Sequence, residues 1–231
     1  MKKLDVPSSI YRLQLHEGFN FKKATAILPY LKKLGIDGLY CSPYYVAYSQ
    51  HGYDITNPNK INPKIGTHEE FESFCAKLKE LGMKNIIDVV PNHMGIKGGM
   101  NAWWQDVLEH GPQSRYASFF DIDWDSEKRA LQNKVIFPIL GEPYRKCLET
   151  GEIQLKLDAG GLSFHYFDYV LPLAPKTYAL VLQDKAFATV LSKVMKFPTT
   201  PVKRETLTAC LKQQVHEKVL SAKGLKARVK R

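Results

Sequence analysis

Polar side chains follow directly after an apolar run near the middle of the chain. Residues 85–90 are rich in isoleucine and valine without polar alternation, which predicts a strand covered on both faces. Pro91 ends that strand, and Asn92 and His93 follow at its carboxyl end, where parallel α/β sheets hold their binding sites. Asp88 lies inside the strand, where a carboxylate requires a cation or a hydrogen-bond donor. The stretch therefore predicts a polar site at the end of a strand.

The elements that must position this site alternate between strand and helix. The sequence predicts strands over residues 9–15 and 36–42, a helix over 21–34 behind the N-cap Asn20, and a helix over 67–81 that begins with a capping box. Residues 44–66 have no sustained period and predict a long loop at the same edge as Asn92 and His93. This alternation favours either a (β/α)8 barrel or a doubly wound sheet.

Two motifs decide between these architectures. The block Asp88-Val89-Val90-Pro91-Asn92-His93 resembles the first conserved region of the alpha-amylase family, glycoside hydrolase family 13, on the third strand of its catalytic barrel. His51-Gly52-Tyr53-Asp54 resembles the substrate-contacting segment that follows the second strand in that family. The resemblance implies an α/β fold with the first three βα units of a (β/α)8 TIM barrel and a mixed β/helical insertion, which together form an incomplete barrel.

Further segments narrow the resemblance to one branch of the family. Residues 9–19, 30–35, 103–112, 116–124 and 140–144 are similar, in the same order, to the maltooligosyltrehalose synthases. These enzymes are (1→4)-α-D-glucan 1-α-D-glucosylmutases, which are intramolecular transferases of trehalose biosynthesis. The resemblance implies a maltooligosaccharide substrate whose reducing-end α-1,4 bond becomes the α,α-1,1 bond of a terminal trehalose unit.

The resemblance assigns roles to two aromatic residues and two polar ones. His93 matches the histidine that hydrogen-bonds the sugar in the reacting subsite, and Tyr53 matches the tyrosine that stacks beneath that sugar. Asp88 matches an aspartate that supports the catalytic strand ends by pairing with a fourth-strand arginine, so we expect it to lack its partner here. Asn92 matches a position that binds calcium in many amylases, but the synthase branch does not rely on calcium. We therefore expect Asn92 to form hydrogen bonds, and we expect no metal or cofactor.

Other residues near the predicted site have two readings each. Asp54 and His51 either shape the sugar edge of the loop or stabilise its turn. Gln14, at the end of the first strand, is a weaker candidate for substrate binding. Trp103 and Trp104 either form a sugar platform or pack the core of the insertion, and packing is the commoner role of paired aromatics there.

The carboxylates of glycosyl transfer are missing from this sequence. A retaining transfer needs a nucleophile and an acid/base about 5 Å apart, and the family carries the nucleophile in a Gly-x-Arg-x-Asp block. The closest segment, residues 224–231, contains no aspartate. We assign no catalytic residue, and we expect an amino-terminal portion of a longer enzyme, inactive by itself, whose carboxyl-terminal part is a separate chain or absent. The alternatives are a non-catalytic α-glucan-binding module, another alpha-amylase family hydrolase, or a basic-tailed partner protein.

Composition restricts the partners and the compartment. The 231 residues carry 33 Lys and Arg against 23 Asp and Glu, and 12 of the basic residues lie in 185–231 with only two acidic ones. The neutral remainder gives no reason to expect nucleic-acid binding. The sequence has no apolar run of about 18 residues and its four cysteines are scattered, so we expect free thiols in a cytoplasmic protein without membrane contact. The predicted division is a barrel part over 1–100, a β-rich insertion over 101–177 and a basic helical segment over 178–231.

Overall fold

The computed structural model describes residues 6–158, 160–182 and 208–217. The chain divides into two compact units, residues 1–101 and 102–231. The first unit contains, in order, β1 (Ile10–Leu13), α1 (Phe21–Lys33), β2 (Gly38–Cys41), β3 (Tyr45–Ala47), β4 (Ile55–Ile61), α2 (His68–Glu80) and β5 (Lys84–Ile87). The predicted division into three segments stays a prediction.

A parallel sheet in the order β1-β2-β5 is the frame of the first unit. Both helices begin where the sequence predicts, because side chains satisfy their free backbone amides. The Asn20 side chain accepts a hydrogen bond from the Lys23 amide, and Thr67 and Glu70 form a complete capping box. The predicted alternation of two strands and two helices, followed by a third strand, is therefore confirmed. The hairpin of β3 and β4 is inserted between β2 and α2.

One face of this sheet packs against the helices. Leu39 and Cys41 of β2 are fully buried there with Phe21, Leu28 and Phe74 from the two helices. The ring of Phe21 lies 5.1 Å from that of Tyr44 and 5.6 Å from that of Phe74, which gives the core an aromatic centre. Because side chains alternate along a strand, the residues between these buried ones point to the opposite face.

The prediction of a third strand covered on both faces is wrong. The strand β5 ends at Ile87, before Asp88. The side chain of Ile86 in this strand is 42% exposed, and that of Val89, just after it, is 44% exposed. In the part of the chain that the structure describes, β5 is the last strand of its sheet, and the face opposite the helices also exposes Ile10 and Tyr40. An uncovered face and an open edge replace the predicted burial.

The prediction of one long loop over residues 44–66 is also wrong, because the segment contains the antiparallel hairpin of β3 and β4. The register shifts on both sides of Val46, so the apolar and polar residues do not alternate regularly. Pro58 and the two asparagines Asn57 and Asn59 within β4 further conceal the strand. The true loop is the connection 48–54, which carries His51, Tyr53 and Asp54.

The second unit contains a separate antiparallel sheet. Its elements are α3 (Ala102–His110), α4 (Tyr144–Glu149), β6 (Ile153–Asp158), β7 (Gly161–Tyr166), β8 (Tyr169–Pro172) and α5 (Tyr178–Val181), followed by a helix over 208–217. The three strands pair in the order β6-β7-β8. Leu162, Tyr178, Leu211 and Val215 are buried in its core.

The sequence predicts strands over residues 135–140, 153–157 and 162–167, of which the last two match β6 and β7, and it does not predict β8. An apolar run over 135–140 predicts a strand, but no strand is assigned there among the described residues. The ring of Phe137 instead packs 5.9 Å from Trp104 and 5.5 Å from Tyr169, and Pro138 lacks the amide that a ladder needs. The sequence also predicts helices over residues 178–194 and 205–229 with a linker at 197–201. Within the described residues, α5 covers 178–181, Leu182 follows it outside the helix, and the last helix covers 208–217. Residues 183–194, 197–201, 205–207 and 218–229 lie outside the described residues.

The four cysteines Cys41, Cys75, Cys147 and Cys210 are free thiols, as the sequence predicts. No helix in the described part of the chain has the length and apolar character needed to cross a membrane. Within the same residues, no group of three or more histidine, cysteine, aspartate or glutamate side chains is arranged to hold a metal ion.

Candidate functional site

A cluster of polar side chains lies on the uncovered face of the first unit's sheet, and Arg12 is at its centre. One terminal nitrogen of the Arg12 guanidinium donates to Asp88 Oδ2 at 2.8 Å. The other donates to the Tyr53 hydroxyl at 2.9 Å and to Gln14 Oε1 at 3.3 Å. Three segments of the chain are therefore joined through one planar group.

The Tyr53 hydroxyl closes the cluster. It accepts from Arg12 and donates to Asp88 Oδ2 at 2.7 Å, so Arg12, Tyr53 and Asp88 form a triangle of hydrogen bonds. The hydrogen bonds from Tyr53 and then Arg12 hold the pKa of Asp88 below its usual range, because both favour the ionised carboxylate. The expectation that Asp88 lacks a partner is wrong, since Arg12 of β1 takes that place.

Tyr40 of β2 forms the floor beneath Arg12. The guanidinium carbon lies 4.4 Å from the centre of the Tyr40 ring, at the distance of a cation–π contact. A hydrogen bond with the Asp88 carboxylate raises the pKa of the Tyr40 hydroxyl, because losing its proton beside that anion is unfavourable. Tyr40 therefore contacts both members of the ion pair.

The register of the sheet explains why these residues meet. Arg12 lies opposite Tyr40, and Tyr40 lies opposite Ile86, so all three share the uncovered face. Asp88 is two positions beyond Ile86 and returns to that face, while its backbone amide still donates to the carbonyl of Cys41 at 2.8 Å. Tyr53 reaches the cluster from the 48–54 connection.

The 48–54 connection is braced from within by Asp54 and His51. The Asp54 carboxylate accepts from the Ser49 amide at 3.0 Å and from the Ser49 hydroxyl at 2.6 Å, which are contacts of a turn-stabilising residue. The His51 ring stacks 5.7 Å from that of Tyr53, and its Nδ1 accepts from the Tyr53 amide at 3.1 Å. Gly52 has a φ of +83°, a conformation that glycine adopts without strain. These contacts fix the direction in which Tyr53 leaves the loop.

Asn92 and His93 lie in the turn after β5, and both are exposed. Tyr53 is half-buried, so neither ring is sealed in the core. The structure brings Tyr53, Asp88, Gln14 and His51 together, and a pocket shared by Tyr53 and His93 stays a prediction. A separate cavity of about 510 Å³ lies between β4 and the start of α2, and none of the predicted site residues lines it.

Trp103 and Trp104 belong to the second unit and pack against aromatic residues there. The Trp103 ring lies 5.2 Å from that of Phe119 and 5.7 Å from that of Tyr116. Trp104 is buried, with its ring 5.0 Å from that of Phe120. The packing reading of this pair therefore agrees with their contacts.

Sequence reasoning missed Arg12 and Tyr40. The signal for Arg12 was present, because it lies two positions before Gln14 and therefore on the same face of the first strand. The signal for Tyr40 was weaker, since its partner across the sheet depends on the pairing register of the strands. Because side chains two positions apart in a strand share a face, counting back two positions from Gln14 would have placed Arg12 at the site.

The alpha-amylase catalytic domain matches residues 21–145, which is more than half of the chain, so this protein belongs to the alpha-amylase family. Within that family it is similar to the putative maltooligosyl trehalose synthase of Mycobacterium tuberculosis, with 38% identity over 175 residues. That alignment covers 72% of this chain and 21% of the relative. The intracellular maltogenic amylase of Bacillus subtilis is 39% identical over 95 residues, covering 41% of this chain and 16% of that enzyme.

Solved structures agree with the sequence comparison. A crystal structure of a maltooligosyl trehalose synthase superposes with a TM-score of 0.66 and 34% identity, covering 72% of this chain and 22% of the other. The hypothetical maltooligosyl trehalose synthase of Sulfolobus tokodaii gives a TM-score of 0.62 with 29% identity, covering 83% and 24%. The chain thus spans about a fifth of the length of the curated synthases that it matches.

Proposed function

We propose that this chain supplies the sugar-binding strand ends of a maltooligosyltrehalose synthase, which moves the reducing-end glucose of a maltooligosaccharide from an α-1,4 to an α,α-1,1 linkage. The observation that carries the proposal is the Tyr53 ring, held by its hydroxyl between Arg12 and Asp88 at the carboxyl ends of β1 and β5. The similarity to synthases over 72% of this chain supports the same assignment.

The chemistry of a pyranose suits this arrangement. One face of the sugar ring is apolar and packs on an aromatic side chain, while its hydroxyls need hydrogen-bonding groups at the rim. Tyr53 offers a half-buried ring whose hydroxyl is already engaged and one face of which stacks against His51, so we assign the sugar to its other apolar face. We assign His93 and Asn92, both exposed, to the sugar hydroxyls, with Gln14, His51 and Asp54 completing the edge.

The proposed role excludes turnover by this chain in isolation. A retaining transfer requires a carboxylate nucleophile and an acid/base carboxyl group beside the anomeric carbon. The ionised carboxylate at the site, Asp88, is occupied by Tyr53 and Arg12, so it is a supporting group rather than a nucleophile. We propose that the reacting carboxylates come from a further polypeptide segment, as part of the same enzyme or as a separate chain in the cytoplasm.

Two proteins tested with one substrate decide the proposal. The first is the 231-residue chain, for which we expect weak binding of maltopentaose in titration calorimetry and no product. The second is a chimera in which residues 6–182 replace the matching part of the Mycobacterium tuberculosis relative, for which we expect a trehalose-ended product. Tyr53→Ala should weaken binding in both, and Tyr30→Ala is the matched control because Tyr30 is 65% exposed on α1, away from the cluster.

The products separate the proposed function from its alternatives. Glucose or maltose released by the chimera without a trehalose-ended product would assign the site to a hydrolase of the same family. Binding by the isolated chain together with an inactive chimera would favour a non-catalytic α-glucan-binding module. A trehalose-ended product made by the isolated chain would contradict the proposed absence of catalytic carboxylates.

A further inference from the structure

We infer that Arg12 is a positioning residue, which sets the orientation of the Tyr53 ring for a bound sugar by tying it to the carboxylate of Asp88. The inference rests on the proposed function, since it concerns the same sugar site. It goes further by naming a residue on the first strand as the one that organises a tyrosine in a loop and an aspartate after β5.

The contacts of Arg12 divide between three segments of the chain. One guanidinium nitrogen reaches Asp88 at 2.8 Å, and the other reaches Tyr53 at 2.9 Å and Gln14 at 3.3 Å. Asp88 is 76 positions away in sequence and Tyr53 is 41 positions away. The planar fork of an arginine satisfies these directions at once, whereas the ammonium of a lysine is a point charge without a fixed fork.

The Tyr40 ring limits where the guanidinium can lie. With the guanidinium carbon 4.4 Å above that ring, the group is supported from below while its nitrogens reach sideways to Asp88 and Tyr53. Tyr53 itself comes from a connection between two strands, where side chains are freer than in a core. Arg12 therefore joins a rigid sheet to a loop side chain.

The location of Arg12 favours positioning over a role in the core. Its side chain is 35% exposed on the uncovered face of the sheet, and the buried apolar cluster of this unit lies on the opposite face. An ion pair that is partly open to solvent contributes little to global stability. Loss of the pair should instead weaken sugar binding, because the Tyr53 ring must then be ordered when the sugar binds.

The charges of the cluster determine which variant removes Arg12 without leaving the Asp88 carboxylate unpaired. Asp88 carries the only carboxylate that Arg12 contacts among the described residues, and its side chain is 17% exposed. Arg12→Met alone leaves that carboxylate without its cation. The double variant Arg12→Met/Asp88→Asn removes both charges with side chains of similar size, and so it keeps the test valid if the single variant fails to fold.

The experiment is a double-mutant cycle on the 231-residue chain, with the Kd for maltopentaose and the melting temperature as readouts. Arg12→Met and Tyr53→Phe should each weaken binding by about two- to tenfold, because a loosened ring must be ordered on binding. The double variant Arg12→Met/Tyr53→Phe should have a Kd no higher than that of the single variant that binds less tightly. Both substitutions remove the same hydrogen bond between Arg12 and the Tyr53 hydroxyl. Arg12→Lys should not restore the affinity.

Fluorine-labelled tyrosine reports on the surroundings of the Tyr53 ring separately from the stability of the fold. In the folded Arg12→Met/Asp88→Asn variant, the 19F resonance of Tyr53 should shift while that of Tyr30 stays unchanged. Arg145→Met is the matched control, because Arg145 forms a similar pair with Glu149 at 2.8 Å but is 89% exposed in the second unit. It should change neither the Kd nor the Tyr53 resonance.

The outcomes separate this inference from the function on which it rests. Failure of the unsubstituted chain to bind maltopentaose would overturn the proposed function and the role of Arg12 with it. Binding that is unaffected by Arg12→Met would overturn the positioning role alone. Additive losses in the cycle would also overturn it, since they would mean that Arg12 acts on the sugar independently of Tyr53.

Discussion

The Asp88 carboxylate is the most constrained charge in the site. Hydrogen bonds from Tyr53 and Arg12 lower its pKa in the folded protein below the value of about 3.9 expected in an unfolded chain. A carboxyl group with a depressed folded pKa stabilises the fold above its unfolded pKa. That contribution is lost as the pH falls through the folded pKa, because the unfolded state then binds the proton more readily.

The first prediction follows from the lowered pKa of Asp88 in the folded protein. The free energy of unfolding should decline as the pH falls below about 5, and Asp88→Asn should flatten a small part of that decline. Urea denaturation at a series of pH values measures it, with Asp125→Asn as the control, since Asp125 is an exposed aspartate in the second unit. The same acid dependence in Asp88→Asn as in the unsubstituted chain would contradict the prediction.

The second prediction ranks the two rings of the proposed sugar site. Loss of the stacking face of Tyr53 in Tyr53→Ala should weaken maltopentaose binding by about 1 kcal/mol or more, whereas His93→Ala should cost about that or less. Tyr53 is half-buried and His93 is exposed, so the hydrogen bond lost at His93 can be replaced by water. Titration calorimetry on both variants measures the order, and a larger loss in His93→Ala would reverse our assignment of the main contact.

At the scale of helices and strands, the sequence predicts an element well when its signals are local. The N-cap Asn20 and the capping box at Thr67 and Glu70 mark the starts of α1 and α2, because both depend on residues within one turn. The hairpin of β3 and β4 was missed because its shifted register breaks the period that reveals a strand. The partners of Asp88 were missed because that pairing depends on a sheet register that no local pattern specifies.

The third prediction concerns the capping box of α2. Thr67→Ala should lower the free energy of unfolding by about 1 kcal/mol, because the Glu70 amide loses its side-chain acceptor. The helix carries Phe74 and Leu78 into the core of the first unit, so fraying at its start should affect the whole unit. Thr67→Ser keeps the hydroxyl and should restore most of the stability in urea denaturation. Equal losses in both variants would show that the threonine methyl group, and not the cap, is responsible.

At the scale of the whole molecule, the first unit combines a packed face with an open one. The helices bury Leu39 and Cys41 on one side of the sheet, whereas Ile10, Tyr40 and Ile86 on the other side are 37% to 48% exposed. In the part of the chain that the structure describes, β5 also has an unpaired edge. The Arg12 and Asp88 pair lies on this open face, so the candidate site and the uncovered apolar surface are the same region of the fold.

The fourth prediction is that the isolated 231-residue chain self-associates or requires a partner chain. An unpaired edge strand next to exposed apolar side chains is a template for pairing with another chain. Ile86→Lys/Val89→Lys should reduce the association, because charges on this surface oppose contact between copies while the packed face is untouched. Light scattering during size-exclusion chromatography over a range of concentrations measures it. Leu34→Lys is the control, since Leu34 is 58% exposed after α1 and off the sheet. A monomer at every concentration with a single cooperative melt would contradict the prediction, and it would mean that the open face of this sheet is stable in water.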